Sequence, residues 1–215
     1  MEMNWQDVVS NVQVYGLEES IRRAKYPMAI DATRPTTELT EGIKNLAQSE
    51  KGAGHDQWLT GVIVQFDLTF TVKAWTEAER YHFLDFVSSQ STMHKITKFN
   101  LDTAYIDYVD PRIIPIIKDK VEKYNQLQEK IKQIKQTNYL YKEYTKELQE
   151  ECIQLYLEIL YSNPCGMKLT AGITTNYRQL KTIYSQRKAH RLPEWRAFCK
   201  WVETLPMSEL ITGKN

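Results

Sequence analysis

The chain has 215 residues, of which 42% are hydrophobic, so it is long enough to bury a core as one domain. Its 28 Lys and Arg residues balance 27 Asp and Glu residues, which excludes a chain-wide field that would recruit nucleic acid or an anionic membrane. The sequence has neither the apolar run of a membrane-spanning helix nor the basic and apolar start of a signal peptide. We therefore expect a single cytoplasmic domain over residues 1–215, in which any phosphate binding is local.

The cysteines predict no covalent or metal framework. Cys152, Cys165 and Cys199 are widely separated and lie outside any Cys-x-x-Cys spacing. An odd number of cysteines without metal-ligand spacing is typical of reduced thiols. We therefore expect neither a disulfide network nor a metal site.

The first third of the chain alternates between strand and helix patterns. Val12 to Tyr15 alternates like a strand, and residues 61–72 (GVIVQFDLTFTV) give the strongest strand pattern because they alternate and are rich in β-branched and aromatic side chains. Residues 17–26 have the acidic start and basic end of a short helix. Residues 31–48 provide a threonine cap and an amphipathic helix, and a loop follows at residues 51–55.

A further helix is predicted directly after the strong strand, in WTEAERYHFLDFVSSQSTMH at residues 75–94. Thr76 and Glu79 have the spacing of a capping box, in which each side chain bonds the other's backbone amide. The apolar residues that follow recur with helical periodicity. The pattern therefore places this whole segment on one helix.

Residues 111–161 are dominated by Lys, Glu, Gln, Leu, Ile and Tyr, with apolar positions near helical spacing. We interpret them as a helical hairpin with its break near Thr137 and Asn138. Such a hairpin either packs in an oligomer or remains a solvated amphipathic pair without a partner. After it come a turn at residues 162–166, a short strand at residues 168–175, and one or two closing helices.

A basic cluster lies on or just after the first closing helix. Its members are Arg178, Lys181, Arg187, Lys188, His190 and Arg191. One interpretation is the solvated basic surface of a helix. The other is a site for an anionic ligand, because Asn176 and Arg178 at a helix start can together grip a phosphate or a heteroaromatic edge.

The same segment, TTNYRQLKTIYSQRKAHRLPEW, resembles the C-terminal region of flavin-dependent thymidylate synthases (ThyX). In that family an Asn-x-Arg pair opens a helix, a second Arg follows on it, and a His and a Trp come next. The matching positions here are Asn176, Arg178, Arg187, His190 and Trp195. The resemblance implies that Asn176, Arg178 and His190 bind flavin, and that Arg187 is the catalytic residue that contacts the pyrimidine of deoxyuridylate (dUMP).

A second resemblance lies in GHDQWL at residues 54–59, which is similar to the family's Gly-His-x-Ser-x-x-Glu-His segment. The match implies that His55 lies near flavin or folate. Gln57 replaces the family's serine, and the second histidine is missing. This segment is therefore only a partial copy of the pattern.

The family's signature, RHRxxSxNExSxRY, corresponds here to YHFLDFVSSQSTMH. With His82 on the signature's histidine, Ser91 falls on its late serine, but Tyr81 and Phe83 replace both arginines. Shifting the alignment by one residue restores Arg80 as the first arginine and loses Ser91. Each lost arginine removes a charge-assisted hydrogen bond of roughly 1.5 to 3 kcal/mol to an anionic ligand.

By the same resemblance, His82 is a flavin-binding residue, and the row of hydroxyl and amide groups after it binds the substrate. The row consists of Ser88, Ser89, Gln90 and Ser91, and we expect it to act together with Arg187. Neutral hydrogen bonds from such a row can hold a nucleotide. The alternative is that these residues cap a helix end and form local turns.

Taken over the chain, the resemblance implies an α+β, ThyX-like fold. It would have a central, mostly antiparallel sheet flanked by helices, with the hairpin at residues 111–161 as an insertion. It also implies FAD, with NADPH and methylenetetrahydrofolate for the methylation of dUMP to dTMP, and a homotetramer with sites between subunits. The missing arginines favour a second hypothesis, a non-catalytic protein that binds or sequesters a nucleotide. A third is a structural protein whose hairpin mediates assembly, although the retained Asn176, Arg178 and Arg187 count against it.

Overall fold

The computed structural model of the chain describes residues 2–50, 52–137 and 142–213. Its strands are β1 (Val9–Tyr15), β2 (Ile63–Thr71), β3 (Asp85–Ser89) and β4 (Lys168–Asn176). Its helices are α1 (Leu17–Ala24), α2 (Glu41–Ala47), α3 (Val72–Ala78), α4 (Thr92–Lys95), α5 (Ile113–Thr137), α6 (Lys142–Ser162), α7 (Tyr177–Arg187), α8 (Pro193–Val202) and α9 (Glu209–Thr212).

The four strands form one sheet in the order β1-β2-β4-β3. β1 pairs antiparallel with β2, with Val9 opposite Leu68, and β3 pairs antiparallel with β4, with Asp85 opposite Thr174. β3 lies at one edge of the sheet. This arrangement confirms the predicted α+β fold with a mostly antiparallel sheet.

The chain forms two compact units. The first comprises Met1–Phe70, Ala74–Ser89 and Thr170–Asn215, and the second comprises Thr71–Lys73 and Gln90–Leu169. The single domain predicted over residues 1–215 stays a prediction.

In the first unit, aromatic side chains fill the space between β2 and α8. Alternate residues of β2 are buried, as expected for a strand with one face on a core. Phe66 lies 4.5 Å from Trp201 between ring centroids, and Phe70 meets Trp195 edge-on at 4.8 Å. Such ring pairs add about 0.5 to 1.5 kcal/mol each beyond their burial. These rings pack β2 against α8 in the core of this unit.

In the second unit, α5 and α6 form the predicted hairpin. Lys120 of α5 bonds Glu158 of α6 at 2.5 Å, and Ile131 packs with Leu148 and Cys152 farther along. α5 ends at Thr137, where the break was predicted. Asn138, the other residue of the predicted break, lies outside the described residues.

The prediction of one helix over residues 75–94 is wrong. α3 begins earlier, at Val72, and ends at Ala78, while residues 85–89 form strand β3. Thr76 lies inside α3 rather than at its N-cap position, so the capping-box interpretation also fails. The cause is tertiary: pairing with β4 places Phe86 opposite Ile173, and this overrides the local helical periodicity.

Neither a membrane-spanning helix nor a metal-binding cluster is present in the described residues. In residues 2–50, 52–137 and 142–213, none of the helices is both long and apolar enough to cross a membrane. Over the same ranges, His, Cys, Asp and Glu side chains form no group of three or more that could hold a metal ion.

Candidate functional site

Asn176 ends β4 and begins α7. Its side-chain oxygen accepts a hydrogen bond of 2.9 Å from the backbone amide of Gln179, so it is the N-cap of the helix. The amide of Tyr177 donates to the carbonyl oxygen of Val62 at 3.0 Å. A helix start leaves such amides without helical partners, and a capping side chain satisfies one of them. The oxygen of Asn176 therefore has a structural role in the cap.

Replacing Asn176 with Ala should lower the free energy of unfolding by about 1 kcal/mol, because the amide of Gln179 loses its acceptor. Asn176→Ser is the matched control, since a serine hydroxyl can cap the same amide. Urea denaturation of both variants measures the difference. Equal destabilisation by the two substitutions would show that the cap is not what Asn176 contributes.

Asp56 joins Arg178 and Lys181 into a cluster that we call the α7 cation cluster. Its carboxylate accepts a hydrogen bond of 3.0 Å from Nε of Arg178 and one of 2.9 Å from Nζ of Lys181. Lys181 also donates to the carbonyl oxygen of Ala47 at 2.6 Å. Burial would raise the pKa of Asp56, but the hydrogen bonds and charges of Lys181 and Arg178 outweigh it and hold that pKa below its ordinary value. Asp56 is therefore ionised, and the cluster carries one net positive charge.

In the described part of the chain, two buried polar atoms without hydrogen-bond partners belong to residues near Asp56 in the sequence. Among the described residues, no hydrogen-bond partner reaches Oγ of Ser49 or Nε1 of Trp58, although both atoms are buried. The backbone oxygen of Ser49 is 3.5 Å from Nζ of Lys181, and Trp58 follows Asp56 by two positions. His55, which directly precedes Asp56, is exposed. Buried polar groups are rarely unsatisfied, but over the described residues Nε1 of Trp195, beside Arg187, has no partner either, so such atoms do not distinguish the two clusters.

Arg187 belongs to a second cluster, which contains Glu77, Tyr81 and His190. Its Nη1 donates to Oε2 of Glu77 at 2.8 Å, and its Nε donates to the hydroxyl of Tyr81 at 2.8 Å. The guanidinium carbon lies 4.9 Å from the centroid of the Trp195 ring. The side chains of Arg187 and Glu77 are only 14% and 16% exposed. Arg187 is thus one half of a largely buried ion pair.

His190 is bonded within the same cluster. Its Nδ1 accepts a hydrogen bond of 3.2 Å from the backbone amide of Leu192, which in the neutral ring places the proton on Nε2. Nε2 lies 3.2 Å from Oε2 of Glu77 and 2.8 Å from Nη1 of Arg187. Both ring nitrogens therefore face groups of the protein itself.

Arg178 and Arg187, which the sequence assigned to one pocket, do not converge within this chain. A helix rises about 1.5 Å and turns about 100° per residue, which separates them by about 13 Å along α7 and places them on roughly opposite sides. Each arginine has its own carboxylate partner. Sequence reasoning missed both partners, Asp56 and Glu77.

The row predicted to bind substrate lies along and just beyond the edge strand. Ser88 and Ser89 pair with Gly172 and Ala171 of β4, and both are exposed. Side chains of a strand alternate between its faces, so these two hydroxyls do not form one row. Ser91 takes the N-cap position of α4. The remaining member of the row, Gln90, is exposed, and so is His82, the predicted flavin ligand.

The mixed α+β architecture with its four-stranded antiparallel sheet is shared with solved structures of flavin-dependent thymidylate synthases. Two solved structures of ThyX from Helicobacter pylori, both complexed with FAD and dUMP, are similar to this chain with TM-scores of 0.60 and 0.61. Each likeness covers 94% of this chain and 97% of the other at 14% sequence identity. No protein-family model matches the chain, and neither does any curated protein. At this identity the likeness establishes the fold.

Proposed function

We propose that this protein binds a nucleotide on a ThyX-like fold and does not methylate it through Arg187. The nucleotide phosphate is held at the α7 cation cluster. The observation that carries the proposal is the contrast between two arginines: Arg178 keeps donors at an accessible position, whereas Arg187 is committed to Glu77.

The α7 cation cluster has the donors that a phosphate needs. Asp56 accepts a hydrogen bond from Nε of Arg178, and the side chain of Arg178 is 38% exposed. The terminal nitrogens of this guanidinium can therefore donate hydrogen bonds to a ligand. Arg guanidinium groups bind phosphate with charge-assisted hydrogen bonds. These features support phosphate binding here.

The proposed ligands are a pyrimidine nucleotide and, through the same phosphate chemistry, a flavin nucleotide. The similar H. pylori enzyme was crystallised with FAD and dUMP, both of which carry phosphate esters. The residues present fit a flavin in part: Arg178 and His55 can hold it, whereas the side chains of Asn176 and His190 already bond the protein. A bound flavin would supply hydride-transfer chemistry.

The ion pair of Arg187 with Glu77 supports the proposal that Arg187 does not catalyse methylation. To stabilise negative charge on a pyrimidine ring, an arginine must direct its donors at the ring. Here Nη1 is bonded to Glu77 and Nε to Tyr81, in a site that is mostly buried. Freeing the guanidinium would break this largely buried ion pair with Glu77, which costs several kcal/mol.

Arg178→Ala should weaken binding of dUMP by about tenfold or more, because a charge-assisted hydrogen bond of roughly 1.5 to 3 kcal/mol is lost. Isothermal titration of the full chain measures it. Arg191→Ala is the matched control, since this exposed arginine lies just beyond α7. The affinity of this variant for dUMP should stay within twofold of that of the unsubstituted chain. Failure of the unsubstituted chain to bind either dUMP or FAD would overturn the proposal.

The second candidate is flavin-dependent methylation of dUMP with methylenetetrahydrofolate and NADPH. The likeness to the H. pylori enzyme over nearly the whole of both chains favours it. Incubating the full chain with dUMP, FAD, NADPH and methylenetetrahydrofolate tests it directly. The primary proposal predicts no dTMP, and formation of dTMP that disappears in Arg187→Ala would establish the second candidate instead.

The homotetramer implied by the resemblance also stays a proposal. Sites between subunits would allow Arg178 and His82 of different copies to contribute to one ligand. Light scattering of the purified chain would report the number of copies.

A further inference from the structure

A groove of about 900 Å³ lies in the second unit. Its walls come from the segment around His94 and Lys98, from the distal half of α5, and from Tyr156 of α6. The proposed nucleotide site is in the first unit, so this groove is a separate feature. Its volume is in the range of about 300 to 1,000 Å³ that ligand pockets occupy.

The charge of the groove is positive although the chain as a whole is balanced. Among the described residues that line it, the charged side chains besides His94 are Lys98, Lys132, Lys135 and Glu129. Glu129 approaches Lys132 at 3.8 Å, a long contact between exposed groups. Three lysines against one carboxylate give a local excess of positive charge. The groove therefore suits a ligand with more than one negative charge.

The aromatic and amide side chains of the groove are fixed by contacts. The rings of Tyr124 and Tyr156 lie 5.1 Å apart between centroids, and the hydroxyl of Tyr156 donates to the backbone oxygen of Met93 at 2.6 Å. The amide of Asn125 donates to the backbone oxygen of Thr97 at 3.4 Å. These bonds tie the His94 segment to both helices. Tyrosine faces beside lysines offer stacking for a base as well as charge for phosphates.

We propose that this groove binds a nucleoside polyphosphate. The lysines meet the phosphate chain, and the tyrosine pair, with neighbouring amides, meets the base. This site is additional to the α7 cation cluster and does not depend on it.

ATP is the probe for the test, and Arg178→Ala in the full chain is the background, because this substitution weakens phosphate binding at the α7 cation cluster. In that background we expect saturable ATP binding with one site per chain. Adding Lys98→Ala and Lys135→Ala together should weaken it at least tenfold. Adding Lys123→Ala instead should change ATP affinity less than twofold. Lys123 lies on α5, as Lys135 does, but it is outside the groove and pairs with Asp119 at 2.8 Å.

Three outcomes would overturn the proposal. The first is no ATP binding in the Arg178→Ala background. The second is equal weakening by Lys123→Ala and by the Lys98 and Lys135 pair, which would indicate general charge attraction. The third is inorganic triphosphate binding as tightly as ATP, which would remove any role for the base. None of these results bears on whether dUMP binds at Arg178 in the unsubstituted chain.

Discussion

Glu77→Gln should lower the free energy of unfolding by about 3 kcal/mol, because removing one partner of a buried ion pair leaves the other charge uncompensated. The carboxylate of Glu77 faces both Arg187 and His190, and its side chain is 16% exposed. Glutamine keeps the size of the side chain and removes only its charge. Urea denaturation monitored by tryptophan fluorescence measures the loss.

Glu79→Gln is the matched control, since Glu79 is exposed and follows two positions later. It should change stability by less than about 0.5 kcal/mol. Removing both charges, with Glu77→Gln and Arg187→Met together, should recover part of the loss, because contacting partners are energetically coupled. If Glu77→Gln destabilises the chain as little as Glu79→Gln does, the carboxylate of Glu77 does not hold Arg187.

Asp56→Asn should cost about 2 kcal/mol at neutral pH, because Arg178 and Lys181 then lose their shared carboxylate. The effect should depend on pH. Since the folded-state pKa of Asp56 lies below its unfolded value of roughly 3.9, its stabilisation is complete above that value. It is lost as the pH falls through the folded-state pKa. The gap between the unsubstituted chain and Asp56→Asn should therefore close in strong acid.

Asp85→Asn provides the control, since Asp85 is exposed on the edge strand. Its stability difference from the unsubstituted chain should be small at every pH. A constant difference for Asp56→Asn between neutral and strongly acidic pH would contradict the role given to its carboxylate.

The fold was predictable wherever local pattern and tertiary environment agree. β2 alternates because one face meets the aromatic core, and the same alternation is visible in the sequence. Residues 85–89 were misassigned because the helical periodicity around them continues past Ala78. What makes them a strand is the pairing of β3 with β4, nearly 90 positions away in the chain. No local signal carries that information.

The candidate site was predictable only in part, for a similar reason. The position of Asn176 at a helix start is confirmed, because capping residues act over three positions. The partners of Arg178 and Arg187 lie 122 and 110 positions away, beyond any spacing rule. An arginine in a motif looks the same in sequence whether it faces a ligand or a carboxylate. Only the packing of Asp56 and Glu77 distinguishes the two roles.

Mass spectrometry of the small molecules released when the purified full chain is denatured tests the central claim most directly, because it identifies a ligand without assuming which one. We expect a pyrimidine or flavin nucleotide to be released from the unsubstituted chain and from Arg191→Ala, and this nucleotide to be lost in Arg178→Ala. A nucleotide retained equally by Arg178→Ala but lost in Arg187→Ala would contradict it, and so would a chain that releases no nucleotide and takes up neither added dUMP nor added FAD.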